Sequence, residues 1–383
     1  MRLAGYNCCQ NHRQPVSWRS FLFKSRVFKS RRQTATIPLV LALAILGLAL
    51  LLTTCGGGSN SGGSGTSAPT VFSSYDLTGA ITPFRDPSVM RQGSTYYVFG
   101  TDADGPPVNG SLPIVCSTDL VAWTSCGYVF SQIPQWVTTQ VPGIVGLWAP
   151  DISYFNGLYH VYYAGSTFGS NTSVIGLAAN TTLDQTDPNY QWVDQGEVLG
   201  SVSTDDFNAL DPNILADTDG SVWLTYGSYW SGIKQSQIDP TTGFLLASNP
   251  TVYSLATRPN VQYDPIEASS LVHKGNYYYL FVSFDNCCDA NPYQDTYRIM
   301  VGRGTSPQGP FTDMNGTDMM QGGGTQLLAG NDVTWSGPGG QTAHLDSENG
   351  DIIVFHAIQL PDGAAYLFVN PLTWPNDWPQ IQP

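Results

Sequence analysis

The chain has 383 residues, of which 42% are hydrophobic and 11% charged, and its formal net charge at pH 7 is −14. The excess of Asp and Glu argues against nucleic acid and anionic membrane surfaces as partners, because like charges repel. A neutral polymer is an easier partner for such a surface.

The first 55 residues differ in kind from the rest. They contain eight Lys and Arg and no Asp or Glu, and they include an apolar run at Ile37–Leu52. A basic segment ahead of such a run is typical of an export signal, and the run is shorter than the roughly 20 residues of a membrane-spanning helix. Cys55 then precedes a Gly- and Ser-rich stretch. We predict a signal or lipoprotein-type leader over 1–55, lipidated at Cys55, and a flexible tether over 56–70.

Residues 71–383 are expected to form a single domain, since no second linker is evident. Beyond residue 55 the chain has 7 Lys and Arg against 29 Asp and Glu, a net charge of −22. We expect a monomer, exported and anchored by its lipid on the periplasmic or cell-surface side. An uncleaved anchor and plain secretion are the alternatives.

One sequence pattern occurs five times in this domain. Each copy has a carboxylate or amide residue, a short apolar stretch, a Gly-containing turn and an aromatic-rich strand. The copies are Asp86–Gly100, Asp151–Gly165, Asp211–Gly227, Glu267–Ser283 and Gln341–Ala357, with steps of 62, 64, 55 and 76 residues between equivalent points. Repeats of this length, with strand signals and no convincing helical periodicity, predict an all-β fold, a five-bladed β-propeller.

The polar residue that opens each copy is the main candidate for chemistry. If each blade directs its first strand at a common axis, Asp86, Asp151, Asp211, Glu267 and Gln341 approach one pocket. Several carboxylates in one pocket suit general acid and base catalysis. An Asp before Pro also caps many ordinary turns, so the recurrence at one repeat position is what favours function.

Eight short phrases, in order along the chain, carry a more specific resemblance. They are RDPS (Arg85–Ser88), WAPDI (Trp148–Ile152), STFGSNTSVIGLA (Ser166–Ala178), ALDPN (Ala209–Asn213), YGSYWSGIK (Tyr226–Lys234), PIEAS (Pro265–Ser269), YYYLFVSFDNCC (Tyr277–Cys288) and SGPGGQ (Ser336–Gln341). Together they resemble glycoside hydrolase family 43, and within it the arabinan endo-1,5-α-L-arabinosidases. The resemblance implies a five-bladed propeller and an inverting mechanism.

The resemblance also implies roles for three carboxylates. Asp86 matches the general base and Glu267 the general acid of the family. Asp211 matches the aspartate that raises the pKa of the acid and orients it. These three residues are the predicted catalytic set.

Four further residues are predicted to bind substrate. Asp151 falls in the substrate-lining part of the family pattern, where it has a binding or structural role. Trp148, Phe168 and Tyr229 lie in motif loops and are able to stack on furanose rings, although aromatic residues in propellers often serve only blade packing.

The family resemblance further implies a metal ion, often calcium, held near the channel by a histidine and waters. His356 is the first candidate ligand and His344 the second. No organic cofactor is expected. Arg85 stands where many relatives have His before the base, and the tyrosines that follow in close arabinanases are absent after His356, which leaves subsite details open.

Four cysteines follow the tether. Cys116 and Cys126 lie ten residues apart across a predicted hairpin and are able to pair in an oxidising compartment. The adjacent Cys287 and Cys288 either form a disulfide or remain thiols.

The leading functional hypothesis is an exported hydrolase that cuts internal α-1,5-L-arabinofuranosidic bonds of plant cell-wall arabinan or a related pentose polysaccharide. An exo-acting α-L-arabinofuranosidase or β-xylosidase of the same fold is the nearest alternative. The others are a retaining fructan hydrolase of the related family 32 and a non-catalytic polysaccharide-binding propeller.

Overall fold

The computed structural model describes residues 77–102, 109–288 and 290–382. The predicted leader and tether, 1–55 and 56–70, lie outside the described residues. Within the described ranges, none of the helices has the length and apolar character needed to cross a bilayer.

Five β-sheets follow one another along the described chain, and each contains four antiparallel strands in sequence order. Blade 1 has β2 (Ser88–Gln92), β3 (Thr95–Phe99), β4 (Ser111–Ser117) and β5 (Ala122–Phe130), with β1 (Thr78–Gly79) parallel to β5. Blade 2 has β6 (Leu147–Phe155), β7 (Leu158–Gly165), β8 (Ser173–Asn180) and β9 (Val193–Ser201). Blade 3 has β10 (Asn213–Ala216), β11 (Val222–Tyr226), β12 (Ile233–Ile238) and β13 (Tyr253–Ala256).

Blade 4 has β14 (Ile266–Lys274), β15 (Tyr277–Phe284), β16 (Arg298–Gly304) and β17 (Thr325–Ala329). Blade 5 has β18 (Trp335–His344), β19 (Ile352–Gln359), β20 (Ala365–Thr373) and β21 (Gln380–Ile381). Helical structure in the described chain is limited to α1 (Gln135–Gln140) and the 3₁₀ turns Pro292–Gln294, Met319–Gln321 and Pro375–Asp377.

The blades close into a ring. The first strands contact one another in the order β2, β6, β10, β14, β18 and back to β2. Apolar clusters fill the five spaces between neighbouring blades, and the one between blades 5 and 1 includes Val89 of β2 and Val354 of β19. The segment before blade 1 also binds blade 5, because Phe84 N–H donates to Ala365 O at 3.1 Å. The prediction of a five-bladed β-propeller is confirmed.

The aromatic-rich runs in the sequence are the second strands of the blades. Strands β3, β7, β11, β15 and β19 are buried along almost their whole length. A strand inside a blade packs against neighbouring blades on both faces, so aromatic and β-branched side chains are favoured at consecutive positions. Each predicted repeat thus corresponds to the first hairpin of a blade.

A residue with left-handed backbone lies within or just before the first strand of every blade. These residues are Asp86 (φ 46°), Ala149 (φ 41°), Asp211 (φ 53°), Ala268 (φ 52°) and Gly340 (φ 59°). The hairpin register shifts around this position in blades 2, 4 and 5, which identifies β-bulges there. A bulge redirects the adjacent side chains and bends the strand, and here it does so at the hub.

The left-handed position shows that the predicted repeat openers are not structurally equivalent. Asp151 lies two residues after Ala149, and Glu267 lies one residue before Ala268. The sequence alignment of the repeats was therefore wrong by one or two residues in these blades, because apolar spacing does not reveal a bulge.

A chain of interblade hydrogen bonds begins two residues after the left-handed position. The side chain at that point accepts a backbone N–H from the next blade around the ring. The pairs are Ser88 with Ile152 N (3.1 Å), Asp151 with Ile214 N (2.9 Å), Asn213 with Leu271 N (2.8 Å) and Ser270 with Ala343 N (3.2 Å). These four repeated bonds set the register between adjacent blades beneath the hub.

Candidate active site

A cavity of about 950 Å³ opens at the hub and is lined by residues from all five blades. Six of the residues predicted from the sequence line it. They are Asp86, Asp211, Glu267, Trp148, Phe168 and Tyr229. The ring therefore brings the three predicted catalytic carboxylates into one cavity from blades 1, 3 and 4.

Asp86 is held by two of its neighbours, Thr101 and His356. Thr101 Oγ1 lies 2.5 Å from Asp86 Oδ2 and accepts the Ala149 N–H at 2.8 Å. The Asp86 N–H donates to His356 Nδ1 over 3.1 Å. One carboxylate oxygen and the backbone amide are thus fixed before any substrate is bound, which is the preorganisation that a general base needs.

Gly340 allows this close approach. A Cβ at Gly340 would overlap Asp86 Oδ1 and lie 2.8 Å from His356 Nδ1. Its φ of 59° also lies in the left-handed region that favours glycine. The absence of a side chain at this point of blade 5 therefore leaves room for the Asp86 carboxylate beside His356.

Glu267 lies at the β-bulge of β14. The register of the β14–β15 hairpin shifts between Glu267 and Ser270. Burial raises the pKa of Glu267 to about 7, and the negative charge of Asp86 adds to this effect. The Ser228 hydroxyl donates to Glu267 Oε2 and acts in the opposite direction. A carboxyl group with this pKa retains its proton in a substantial fraction of molecules at neutral pH, as a general acid requires.

Asp211 lies next to Glu267 at the hub. Its Oδ2 accepts the Ala268 N–H at 3.0 Å, so it holds the backbone directly after Glu267. The pKa of Asp211 lies well above its usual range because of burial, then because of the charges of Glu267 and Asp86. Neighbouring negative charges favour the protonated form of a buried carboxyl group, and Asp211 has two such neighbours.

The aromatic residues form the rim of the cavity. Phe168 is 81% exposed and Tyr263, which the sequence analysis did not identify, is 75% exposed. Both line the cavity together with Trp148 and Tyr229. The Tyr229 hydroxyl donates to Asp285 O at 3.4 Å, which orients its ring. Exposed aromatic faces of this kind are suited to stacking against sugar rings.

Asp151 is 3% exposed and does not line the cavity. Its carboxylate accepts hydrogen bonds from Ser88 Oγ at 3.1 Å, Asn213 Nδ2 at 2.9 Å and Ile214 N at 2.9 Å. The carboxylate therefore links blades 1, 2 and 3, which favours the structural role over substrate binding, and it lies two residues beyond the left-handed Ala149.

Two hydroxyl residues at the site were not predicted as functional. Thr101 bonds to Asp86 and Ser228 bonds to Glu267. A sequence signal for them exists, since Thr101, Ser166 and Ser228 each follow the glycine that ends a copy of the repeat. All three line the cavity.

The predicted calcium ligands do not form a cage for a hard cation. Burial lowers the pKa of His356 to about 4, so its ring is neutral, and its Nδ1 lone pair already accepts the Asp86 N–H. Its Nε2 lies 3.9 Å from Cys287 Sγ, whereas Ca²⁺ prefers oxygen ligands. Among the described residues no group of three or more His, Cys, Asp and Glu is placed to hold a metal ion.

His344, the second candidate, lies at the last residue of β18 with its ring 6.5 Å from that of Tyr96, and it does not line the cavity. The calcium ion itself stays a prediction, and no catalytic step is assigned to it.

The sequence model of glycosyl hydrolases family 43 matches residues 81–379. The chain belongs to this family. It is therefore a glycoside hydrolase, and the predictions of family and enzyme class are confirmed. Membership in family 43 argues against two of the alternatives, the retaining fructan hydrolase of family 32 and the non-catalytic polysaccharide-binding propeller.

Two relatives of this family 43 chain show how far the similarity extends. The extracellular endo-α-(1→5)-L-arabinanase 1 of Bacillus subtilis (strain 168) is 42% identical over 296 residues, which cover 77% of this chain and 86% of the relative. The extracellular exo-α-(1→5)-L-arabinofuranosidase ArbA of Cellvibrio japonicus (strain Ueda107) is 38% identical over 309 residues, covering 77% of this chain and 85% of the relative.

A solved structure supports the same assignment. The GH43 endo-arabinanase from Bacillus licheniformis superposes with a TM-score of 0.71 at 42% sequence identity. The match covers 80% of this chain and 99% of that one. The family 43 chain thus shares its fold with this enzyme over nearly the whole length of that protein.

Proposed function

We propose that this family 43 hydrolase cuts internal α-1,5-L-arabinofuranosidic bonds of arabinan. The observation that carries the proposal is the convergence of Asp86, Asp211 and Glu267 on one open cavity. Burial raises the pKa of one of them, Glu267, to about 7. The similarity to enzymes named endo-arabinanases supplies the substrate class.

In this proposal Glu267 is the general acid. Its proton passes to the glycosidic oxygen as the bond between that oxygen and the anomeric carbon breaks. Asp86 is the general base and removes a proton from a water molecule, whose oxygen forms the new bond to the anomeric carbon from the opposite face. The product then has inverted configuration, and exchange of protons with solvent restores both carboxyl groups.

Asp211 is proposed to support the acid. Its bond to the Ala268 N–H fixes the backbone beside Glu267, and its proximity couples the two carboxyl groups. Ser228 holds one oxygen of the acid Glu267, and Thr101 holds one oxygen of the base Asp86. Each carboxyl group keeps one oxygen for the reaction while the other is anchored.

An exo-acting enzyme is the second candidate, because a relative named an exo-arabinofuranosidase is also similar over 77% of this chain. The endo proposal is favoured by the higher identity to the Bacillus endo-arabinanase. The two modes differ in their first products, since an exo enzyme releases short products of uniform size from the start. A β-xylosidase would act on xylo-oligosaccharides instead.

The deciding experiment is incubation of the full chain with linear arabinan, with new reducing ends and product lengths followed over time. We expect oligosaccharides of mixed length at early times and an inverted anomer by NMR. The matched control is Glu267→Gln, which keeps the size of the side chain and removes its acid. Equal activity of the two proteins would contradict the proposal, and early release of short products of uniform size would favour the exo mode.

We also propose that the enzyme is exported and anchored by a lipid at Cys55. The leader composition supports this, and two similar enzymes are named extracellular. Expression of the full chain with labelled palmitate tests it. We expect label in the wild type and none in Cys55→Ser. An unlabelled wild type would contradict the lipid anchor and favour plain secretion or an uncleaved anchor.

The monomeric state also stays a prediction, which sedimentation tests.

A further inference from the structure

Cys287 and Cys288 form a disulfide between neighbouring residues just after β15. Both line the catalytic cavity, with Cys288 exposed and Cys287 half-buried. The catalytic scheme above makes no use of them. A second disulfide, between Cys116 and Cys126, joins β4 and β5 in blade 1 and does not line the cavity.

The two sulfur atoms contact the surroundings of the general base by separate routes. Arg85 Nη1 lies 3.4 Å from Cys288 Sγ. Cys287 Sγ lies 3.9 Å from His356 Nε2, and His356 Nδ1 accepts the Asp86 N–H at 3.1 Å. Thus Cys288 contacts Arg85 directly, whereas Cys287 reaches Asp86 through His356 of blade 5.

His356 has little freedom in this arrangement. It is fully buried, and its Nδ1 lies 3.4 Å from Asp86 Oδ1 in addition to its bond with the Asp86 amide. Tyr297 packs beside it with ring centroids 6.2 Å apart. A displacement of Cys287 therefore acts on a ring that contacts both the backbone and the carboxylate of the base.

We propose that the Cys287–Cys288 disulfide is a positioning element for Asp86, which keeps the base aligned only while the S–S bond is intact. The proposal rests on the proposed function, since it assigns the disulfide a role in the same reaction. A disulfide between adjacent residues closes a small ring and fixes both sulfur atoms relative to the backbone. Two separate thiols regain rotation about their χ1 angles and release both contacts to blade 1.

The reduction can be written as a balanced step. A dithiol reagent breaks the bond between the two sulfur atoms, and its own two thiols supply two electrons and two protons. The products are the Cys287 and Cys288 thiols and the cyclic disulfide of the reagent. Export into an oxidising compartment favours the bonded form.

The test compares kcat and KM on linear arabinan before and after treatment with dithiothreitol. Cys116→Ser/Cys126→Ser is the control variant, because it lacks the other disulfide of the domain. In this variant, reduction should expose two additional thiols from the pair, and kcat should fall by roughly tenfold to a hundredfold, as expected for a misplaced catalytic group. KM should change little, because the aromatic rim is untouched.

A second variant separates positioning from folding. Cys287→Ser/Cys288→Ser should have the low kcat of the reduced enzyme and should not respond to dithiothreitol. Circular dichroism should show the same strand content in all forms. A purely structural role predicts instead a lower melting temperature with unchanged kcat at low temperature.

Two results would overturn the proposal. One is an enzyme active on arabinan that retains its kcat after both thiols have been titrated. The other is full activity in untreated protein whose Cys287 and Cys288 already react as free thiols. Both results leave the proposed hydrolysis of arabinan intact, so failure of the two proposals is distinguishable.

Discussion

The Thr101 hydroxyl lies 2.5 Å from Asp86 Oδ2 while it accepts the Ala149 N–H at 2.8 Å. Because a backbone amide can only donate, the hydroxyl proton is directed at the carboxylate. Blade 2 thereby orients a side chain of blade 1 that in turn holds the proposed base.

Replacing Thr101 with Val is therefore expected to lower kcat on linear arabinan by about tenfold, as loss of one hydrogen bond to a charged group does. KM should remain within about twofold, since the rim is unchanged. Thr101→Ser, which keeps the hydroxyl, should retain most of the activity. Equal kcat in the Val variant and the wild type would show that the bond does not position Asp86.

The pH dependence of kcat/KM should report the proton on Glu267. Burial raises the pKa of this group to about 7, and the acid must be protonated to act. Activity is therefore expected to fall as the pH rises through about 7. A rate profile measured between acidic and mildly alkaline pH checks this directly.

Ser228→Ala should move that alkaline limb to higher pH. The Ser228 hydroxyl donates to the Glu267 carboxylate and stabilises its charged form, so its removal raises the pKa of the acid further. A shift of about one pH unit corresponds to a hydrogen bond to a charged group. Ser166→Ala is the control. Ser166 occupies the same repeat position as Ser228 but bonds to Ser173. A limb that moves in both variants, or in neither, contradicts the assignment.

Asp151→Ala should destabilise the fold without changing substrate binding. The substitution leaves the Asn213 amide and the Ile214 N–H without their buried acceptor. A loss of about 3 kcal/mol in the free energy of unfolding is expected. Denaturant titration measures it, and the control is Asp206→Ala, which removes an exposed carboxylate. A raised KM at unchanged stability would instead support a substrate contact.

Phe168→Ala should weaken the binding of polymer. The side chain is 81% exposed at the rim, so its removal should alter the free energy of unfolding by less than about 0.5 kcal/mol. Loss of one stacked sugar ring should raise KM for linear arabinan about three- to tenfold with little change in kcat.

The control for this variant is Tyr154→Ala, since Tyr154 is 50% exposed and does not line the cavity. Its KM should equal that of the wild type. A Phe168→Ala enzyme with the same KM as the Tyr154→Ala enzyme would exclude a sugar contact at the rim.

The repeat pattern was sufficient to predict the blades. Aromatic-rich strands at five recurring positions are a local property, because a strand buried on both faces selects such residues wherever the blade lies. The carboxylates Asp86, Asp211 and Glu267 were also found from their positions in the repeats and from the short phrases around them. Their convergence required only that the ring close.

The role of Asp151 was decided by the tertiary structure. Its position two residues beyond the left-handed Ala149 depends on a bulge, and whether a strand forms a bulge at a given residue depends on its partner strand and on the neighbouring blade. The contact of Asp86 with His356, 270 residues away, arises in the same way from ring closure. Local periodicity therefore determined the five blades and the acids at the hub. Only packing between blades determined which of those acids face the cavity and which groups hold them there, because those contacts join residues that the sequence pattern does not relate.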